Sequence, residues 1–414
     1  MIQYILTTLI CTIVILFMYI RLKYPFWSAQ PVYHTYDFWR FFYKTPFIIH
    51  KYRPVRTKFT DVITVSTIDY SNILPEKLDQ VVNLLQCYYI SSERIVHTIK
   101  AASLDAIFSG QSHPSIISAY NTFDYTISQD TSFNAIDTQI KTTRTPVGCI
   151  TSRHLQFLYK ECGTLTSLPI YYMDYLCSAR DKDQKMIMRK LLQTHEYNQR
   201  TMNPDISVSL VKKEVDLFMG IVPFIQYKTH TYHLHNITVP ALPDEYHVNR
   251  IDNENMDLIV DLFYSKIDPD PKMFFFDAII HPDIGNITAQ LKQGLLQIYC
   301  LQRGSTVYGY YFFKETHMYY EDPDSYGMQC VGSIMNTHSL KDFYKGFLHA
   351  IRNMLQKNKD NSILILDEIG HNVNLLNMWR YKNSPFLTTD SAYYLLNMVY
   401  PGSPLRPERC MVLM

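Results

Sequence analysis

Residues 170–199 hold the clearest candidate for anion chemistry in the chain. The apolar run from Ile170 to Cys177 ends, a loop from Ser178 to Lys185 turns, and a helical pattern follows near 185–199. A helix N-terminus offers unbonded N–H groups and the positive end of its dipole, and together these hold phosphate or pyrophosphate. Loops of this kind usually carry glycines, so that the backbone can approach the anion closely; this loop has none. Lys182 and Lys185 would supply positive charge, opposed by Asp181 and Asp183. On its composition alone the segment reads as an ordinary strand-to-helix connection.

Other constellations fall away on inspection. His195-Glu196 opens like the zinc-protease pattern H-E-x-x-H, but Gln199 stands where the second ligand would be. Neither G-x-S-x-G nor the P-loop pattern occurs. His230, His233 and His235 fall in a polar connection and read as solvated or structural side chains, while Asp367 and Glu368 end a strand before Gly370 and read as caps for the next turn.

The elements that must position these residues follow from periodicity. Leu78, Val81, Val82 and Leu85 recur at helical spacing after Pro75, which predicts a helix over 76–89 with Pro in its first turn. Two later blocks share one order of elements. The strands near 145–152 and 170–177 lead to the helix near 185–199, and the strand starting at Thr306 leads to a helix over 340–356. In that second helix Leu340, Phe343, Tyr344, Phe347, Leu348, Ile351 and Leu355 mark the buried face, and residues 362–367 form a short buried strand after it. The pattern is an internally duplicated mixed α/β (α+β) unit. The boundary falls near 225–250, where His and Pro accumulate and neither period holds.

Composition narrows the function classes. A chain of 414 residues, 47% hydrophobic, buries a sizeable core and suggests about two units. Lys and Arg number 39 against 38 for Asp and Glu, spread along the chain, so no basic stripe tracks phosphates and nucleic acid is not an expected partner. The cysteines are widely spaced with no C-x-x-C pair, which suits reduced, buried thiols rather than a disulfide framework or a zinc site.

Residues 1–20 carry no charge, and as a helix rising about 1.5 Å per residue they just span a hydrocarbon core of about 30 Å. Arg21 and Lys23 follow the apolar run, whereas a cleavable signal peptide carries its charge before it. The expectation is an uncleaved membrane anchor with the main domain on the cytoplasmic side. The aromatic stretch 24–60 is expected to lie against the body of the protein.

Four separated motifs carry a family resemblance. Tyr24-Pro25-Phe26-Trp27-Ser28-Ala29-Gln30-Pro31-Val32 is similar to the F-W-x-T-Q-P-V of the N-myristoyltransferase core. Asp174-Tyr175-Leu176-Cys177 resembles that family's N-F-L-C-V strand, and the helix after it stands where the family has R-S-K-R-V-A-P. Tyr393-Tyr394-Leu395-Leu396-Asn397 and the apolar Met411–Met414 resemble its Y-Y-L-Y-N-W and its C-terminus. The motifs keep the family's order over about residues 23–414.

The resemblance implies two pseudo-symmetric GNAT-like acyl-CoA N-acyltransferase halves behind the transmembrane helix. Residues 1–22 would be the anchor, 23–235 the acyl-CoA-binding half and 236–414 the half completing the peptide groove. The implied co-substrate is myristoyl-CoA or another acyl-CoA, the implied acceptor an N-terminal glycine peptide, and the implied state a monomer.

By the same resemblance, Tyr24, Phe26, Trp27, Cys177, Lys182 and Lys185 would meet the CoA. The backbone amides of Tyr175 and Leu176 would form the oxyanion hole. The carboxylate of Met414 would take a proton from the glycine amine. Gly220, His233, Asp390 and Tyr393 would contact the acceptor.

The pattern departs near Met188, where the family has Ala, and at Thr388–Ser391, which replaces G-D-G with Asp390 as the acidic candidate. It departs again at Phe218, where the family has Thr. These departures fall on phosphate and peptide recognition. A GNAT-type transferase with another donor or amine, and an inert membrane-anchored scaffold, stay open beside the first reading.

Overall fold

The computed structural model describes residues 1–90, 94–132, 135–161, 164–180, 183–234, 237–264, 276–321, 324–357 and 362–414. Cys162, Asp181, Lys182 and His235 lie outside the described residues. Among the described residues, strands join into one mixed sheet of fifteen, ordered so that two similar units meet at its middle.

In the first unit, Ala135–Glu161 and Thr164–Ser178 run antiparallel, the helix Gln184–Met202 crosses over, and Ser209–Glu214 returns parallel to Thr164–Ser178. In the second, Thr306–Tyr320 and Ser325–Met335 run antiparallel, the helix Leu340–Lys357 crosses over, and Ile363–Asp367 returns parallel to Ser325–Met335. Parallel neighbours need such a crossover, so the matching order of elements produces matching topology. The duplication read from the sequence is therefore built twice in three dimensions.

The two units interlock. Leu387–Leu396, late in the chain, pairs antiparallel with Ser209–Glu214 of the first unit, while Ile225–His233, which follows directly on that unit, pairs with Ile363–Asp367 of the second. These two strands also pair with each other, closing the seam.

The periodic helices form where expected. The first runs Pro75–Tyr88 with Val81, Val82, Leu84 and Leu85 buried. In Leu340–Lys357, Phe343, Phe347, Leu348 and Ile351 are buried against Tyr311, Phe313 and Trp379, with Leu340, Tyr344 and Leu355 at the margin. The thiols of Cys149, Cys177, Cys300, Cys330 and Cys410 are free and buried; Cys11 and Cys87 are free and exposed. The helix Ile2–Lys23 stands exposed and is long and apolar enough to cross a membrane.

The aromatic stretch behaves in two ways. Phe26, Gln30, Val32 and Tyr33 are buried, and Phe47–Ile48 pairs with Met398–Val399, as expected of a segment lying on the body. Phe38–Phe42 departs from that expectation: it forms a 3-10 turn whose aromatic rings face solvent.

Burial holds four histidines neutral. It pushes His97 and His195 down to about 3, and His281 and His371 down to about 4. The unfolded chain takes up these protons below about pH 6.5 while the folded chain refuses them until pH 4 or lower. Stability therefore falls as pH drops through that window, by at most about 1.4 kcal/mol per pH unit for each histidine. Asp61 and Asp283 act lower. Burial would raise them, but hydrogen bonds from Lys190 and Thr64 on one, and from His154 and Ser112 on the other, hold both at about 2. Their contribution is lost only between about pH 4 and 2. Melting temperatures measured from pH 7 to 5 are expected to fall steadily; a flat profile would rule out neutral buried histidines.

Candidate active site

The site grows from an irregularity in the strand Thr164–Ser178. Cys149 pairs with Cys177 and Thr151 with Asp174, so Tyr175 and Leu176 together face the single residue Ile150. That is a bulge, and Tyr175 carries it with φ +55, a left-handed conformation that costs a non-glycine residue about 1–2 kcal/mol. On the strand's other side, pairing with Ser209–Glu214 runs only from Tyr171 to Met173. Past Met173 the two parallel strands part, and the bulge sits where they do. In this structure the Tyr175 N–H donates to its neighbour, the Asp174 carboxylate, at 2.8 Å; the Tyr89 hydroxyl donates to the same oxygen at 3.0 Å.

Two different surfaces flank the bulge. On one side is an apolar wall: Phe26, Ile187, Leu191 and Tyr394 are buried, with Trp27, Leu176 and Phe218 packed against them. Phe26 and Trp27 meet edge to face at 4.9 Å, and Trp27 lies 4.6 Å from Phe218. Tyr24 covers Gly220, where φ is +87 and a Cβ would come within 2.8 Å of the ring, so no other residue fits beneath it.

On the other side lies a charged interior shared by both units. Arg153 is 2% exposed, stacks its guanidinium 5.4 Å from the Tyr172 ring, and leaves Nε and one terminal nitrogen without a hydrogen-bond partner. Lys212 sits 2.6 Å from Glu214 and 3.9 Å from the buried Asp367. Asp367 accepts hydrogen bonds from Thr229 and Gln329, both at 2.8 Å, and Thr229 meets Ser391 at 2.9 Å. Burial raises the Asp367 carboxyl. Burial would lower Lys212, but Asp367 and Glu214 hold it well above its ordinary value. Lys314, from the second unit, is pushed well below its ordinary value, first by burial and then by Arg153; Asp174 pulls the other way.

The helix Gln184–Met202 begins beside the apolar wall, but its N-terminus is already occupied: Asp183 caps it, accepting from the Met186 N–H. Lys185 is exposed there. A carboxylate at this end satisfies the same N–H groups that would otherwise meet a pyrophosphate.

The structure groups the expected residues unevenly. Phe26, Trp27 and Leu176 share the apolar wall, with Tyr24 and Gly220 in contact beside it. The Tyr175 and Cys177 side chains turn instead into the core under the helix Pro75–Tyr88, leaving only their backbone toward the gap. Tyr393 belongs to the inner side, stacked 5.6 Å from Tyr227. Asp390 does not, because strand alternation sends it to the opposite face from Ser391 and Tyr393, where it is exposed. His233 is exposed at the far end of Ile225–His233, stacked 4.2 Å from Phe386. Met414 packs at the margin of the core cluster that holds Leu155, Tyr172, Tyr393, Cys410 and Val412, since residues 410, 412 and 414 alternate toward the inner side.

Asp367 is corrected: it is an interior charge partner rather than a turn cap. Arg153, Lys212, Lys314 and Thr229 are not singled out from sequence, and Asp174 and Ser391 only as members of motifs. Their signal is a charged or hydroxyl residue at the inward parity of an otherwise apolar strand, visible only once strand partners are known.

A second cluster imitates a catalytic triad. Ser112 Oγ lies 3.1 Å and Asp283 Oδ2 2.7 Å from His154, but both meet Nδ1, and Nε2 is buried without a partner. A relay needs the nucleophile and the carboxylate on different ring nitrogens, so this group is structural.

No family model matches the chain, and no curated protein matches its sequence. Solved structures do match. A crystal structure of Saccharomyces cerevisiae N-myristoyltransferase with bound myristoyl-CoA superposes with a TM-score of 0.65 at 13% identity, covering 94% of this chain and 99% of the other. Another with bound myristoyl-CoA gives 0.66 at 13% identity, covering 94% of each chain. A third, with myristoyl-CoA and inhibitors, gives 0.63 at 12% identity, covering 93% and 92%. The chain has the N-myristoyltransferase fold, with its two similar units behind an apolar N-terminal helix, at a sequence distance that makes it a divergent example of that architecture.

Proposed function

We propose that this divergent N-myristoyltransferase-like chain transfers a long acyl group, myristoyl in the first instance, from acyl-CoA to the N-terminal glycine amine of a protein. The observation that carries the reading is the bulge at Tyr175–Leu176, set in a gap between parting parallel strands. An apolar wall stands on one side of it and a charged interior on the other. An acyl chain and its thioester suit the first surface, and a peptide amine suits the second.

Residues 23–235 would hold the acyl-CoA, with Tyr24, Phe26 and Trp27 at its wall, and 236–414 would complete the groove for the acceptor. The amine nitrogen attacks the thioester carbon. The carbonyl oxygen gathers charge against the Tyr175 and Leu176 amides, and collapse forms the amide as the C–S bond breaks and CoA leaves as the thiolate, which then takes up the proton that Met414 has drawn from the amine. The Met414 carboxylate accepts the proton that the amine loses. Ile2–Lys23 would span the membrane, and Arg21 and Lys23 would keep the body on the cytoplasmic side.

The test is acyl transfer by the full chain in detergent, read by mass spectrometry with acyl-CoAs of graded length and Gly-starting peptides. Expected is a long chain on the glycine amine. Transfer of only short chains, or to another amine, would replace this reading with a GNAT-type transferase of different specificity.

A scaffold without chemistry is favoured by two carboxylates, Asp183 on the helix N-terminus and Asp174 on the Tyr175 amide. It requires that no acyl-CoA stabilise the folded chain. Ligand at 100 times its Kd adds about 2.7 kcal/mol, so a clear rise in melting temperature with myristoyl-CoA excludes it.

A further inference from the structure

The turn Phe38–Phe42 presents its rings in an unusual way for a chain with so much buried aromatic surface. Phe38, Trp39, Phe41 and Phe42 are between 68 and 79% exposed. The turn is nevertheless held in place. Asp37 accepts from the Trp39 N–H at 2.9 Å and from the Tyr43 hydroxyl at 2.8 Å, and Tyr43 packs edge to face on Phe47 at 5.0 Å. Contiguous apolar surface displayed by a pinned element marks an interaction site.

The depth of the turn along the N-terminal helix selects the partner. A cleft of about 310 Å³ is lined jointly by Phe38 and Trp39 of the turn and by Phe17, Ile20 and Arg21 of the helix. Twenty-two helical residues rise about 33 Å, close to the hydrocarbon thickness of about 30 Å. In a spanning helix, Phe17–Arg21 would sit at one edge of the core, where aromatic rings concentrate and basic side chains meet phosphates.

The charges match that level. The Arg21 guanidinium rides 4.7 Å from the Phe17 ring and that of Arg40 4.7 Å from the Phe41 ring, with Lys23 and Lys44 exposed nearby. Rings mixed with cations suit the headgroup–acyl boundary.

We propose that Phe38–Phe42 is a second membrane contact, seating its aromatic rings at the headgroup–acyl boundary of a phospholipid bilayer beside the end of the N-terminal helix. The inference rests on that helix spanning the membrane. Two contacts fix the body's orientation where one helix would leave it free to swivel. Tyr24, which packs on Gly220 immediately after the helix, transmits the constraint to the body. Phe26 and Trp27 then lie two and three residues further on, so the apolar wall stands a short stretch of chain from a bilayer in which long acyl groups partition.

The experiment uses the full chain reconstituted in vesicles of phosphatidylcholine with a minor fraction of phosphatidylserine. Resistance to alkaline carbonate extraction tests the spanning helix separately. Trp39 is then read as the difference in fluorescence between the wild type and Trp39→Ala. A second reporter, Trp39→Ala with Phe41→Trp, moves the probe two positions along the turn and is read against Trp39→Ala in the same way.

Lipids brominated high on the acyl chain should remove most of the signal of each reporter, while aqueous iodide should barely touch either. Iodide quenching of both reporters with no effect of bromolipid overturns the proposal. So does shielding from both quenchers, which would mean a protein covers the turn. Carbonate extraction of the chain overturns the spanning helix and, with it, this contact.

Discussion

Asp174→Asn is expected to raise kcat/KM for acyl transfer by about tenfold or more while lowering the melting temperature. The carboxylate holds the Tyr175 N–H at 2.8 Å, the donor that the thioester oxygen would need. It also places a negative charge beside the position where the transition state gathers its own. Two like charges about 4 Å apart at an effective dielectric near 20 repel by about 4 kcal/mol, and removing one oxyanion donor costs roughly 10²–10³ in rate. Asparagine keeps the shape and still accepts from Tyr89, but as a neutral group it yields the amide more readily.

Stability moves the other way. Asp174 is the acid that offsets Arg153 around Lys314, and its loss leaves buried cations without that counter-charge. Faster turnover in a less stable protein is a pair of changes that general damage to the fold does not produce. A variant with unchanged affinity for acyl-CoA and no turnover would instead make Asp174 the acceptor of the amine proton, replacing Met414 in that role.

Which features were legible follows from how locally each is determined. The helices Pro75–Tyr88 and Leu340–Lys357 announce themselves because a single apolar stripe at helical spacing fixes both type and face. The duplication was legible because the two strand–strand–helix orders are each continuous in sequence. The exchange of Leu387–Leu396 and Ile225–His233 across the seam was not, since pairing between strands more than 150 residues apart leaves no local trace.

The bulge at Tyr175 is silent for a related reason. A glycine would have marked a positive φ, but here tertiary packing holds a tyrosine in that conformation. Asp390 is the only acid near the tyrosine pair, yet it lies on the face opposite Tyr393 and in the exposed first part of the strand Leu387–Leu396. Phe38–Phe42 was read as buried because its composition is apolar. Only the surrounding fold shows that nothing in the described residues covers it.

Appending one glycine after Met414 is expected to abolish turnover, by about 10²-fold at least, with the fold and acyl-CoA affinity retained. The closing strand is well anchored: Cys410–Val412 pairs in parallel with Ala278–His281, the Leu413 N–H donates to the Ile280 carbonyl at 2.8 Å, and Leu413 is buried against Gly332. These contacts place the Met414 side chain at the margin of the inner cluster that includes Tyr172 and Tyr393. An added residue leaves every one of them in place and carries the carboxylate up to about 3.5 Å further along the chain. A general base must lie within about 3.2 Å of the proton it takes, and its contribution is typically 10²–10⁴-fold. Deleting Leu413 and Met414 is the coarser form of the test, because it also opens a hole beside Gly332. Undiminished turnover in the glycine-extended chain would remove the terminal carboxylate from the mechanism and leave Asp174 as the nearest acid to the bulge to take the proton.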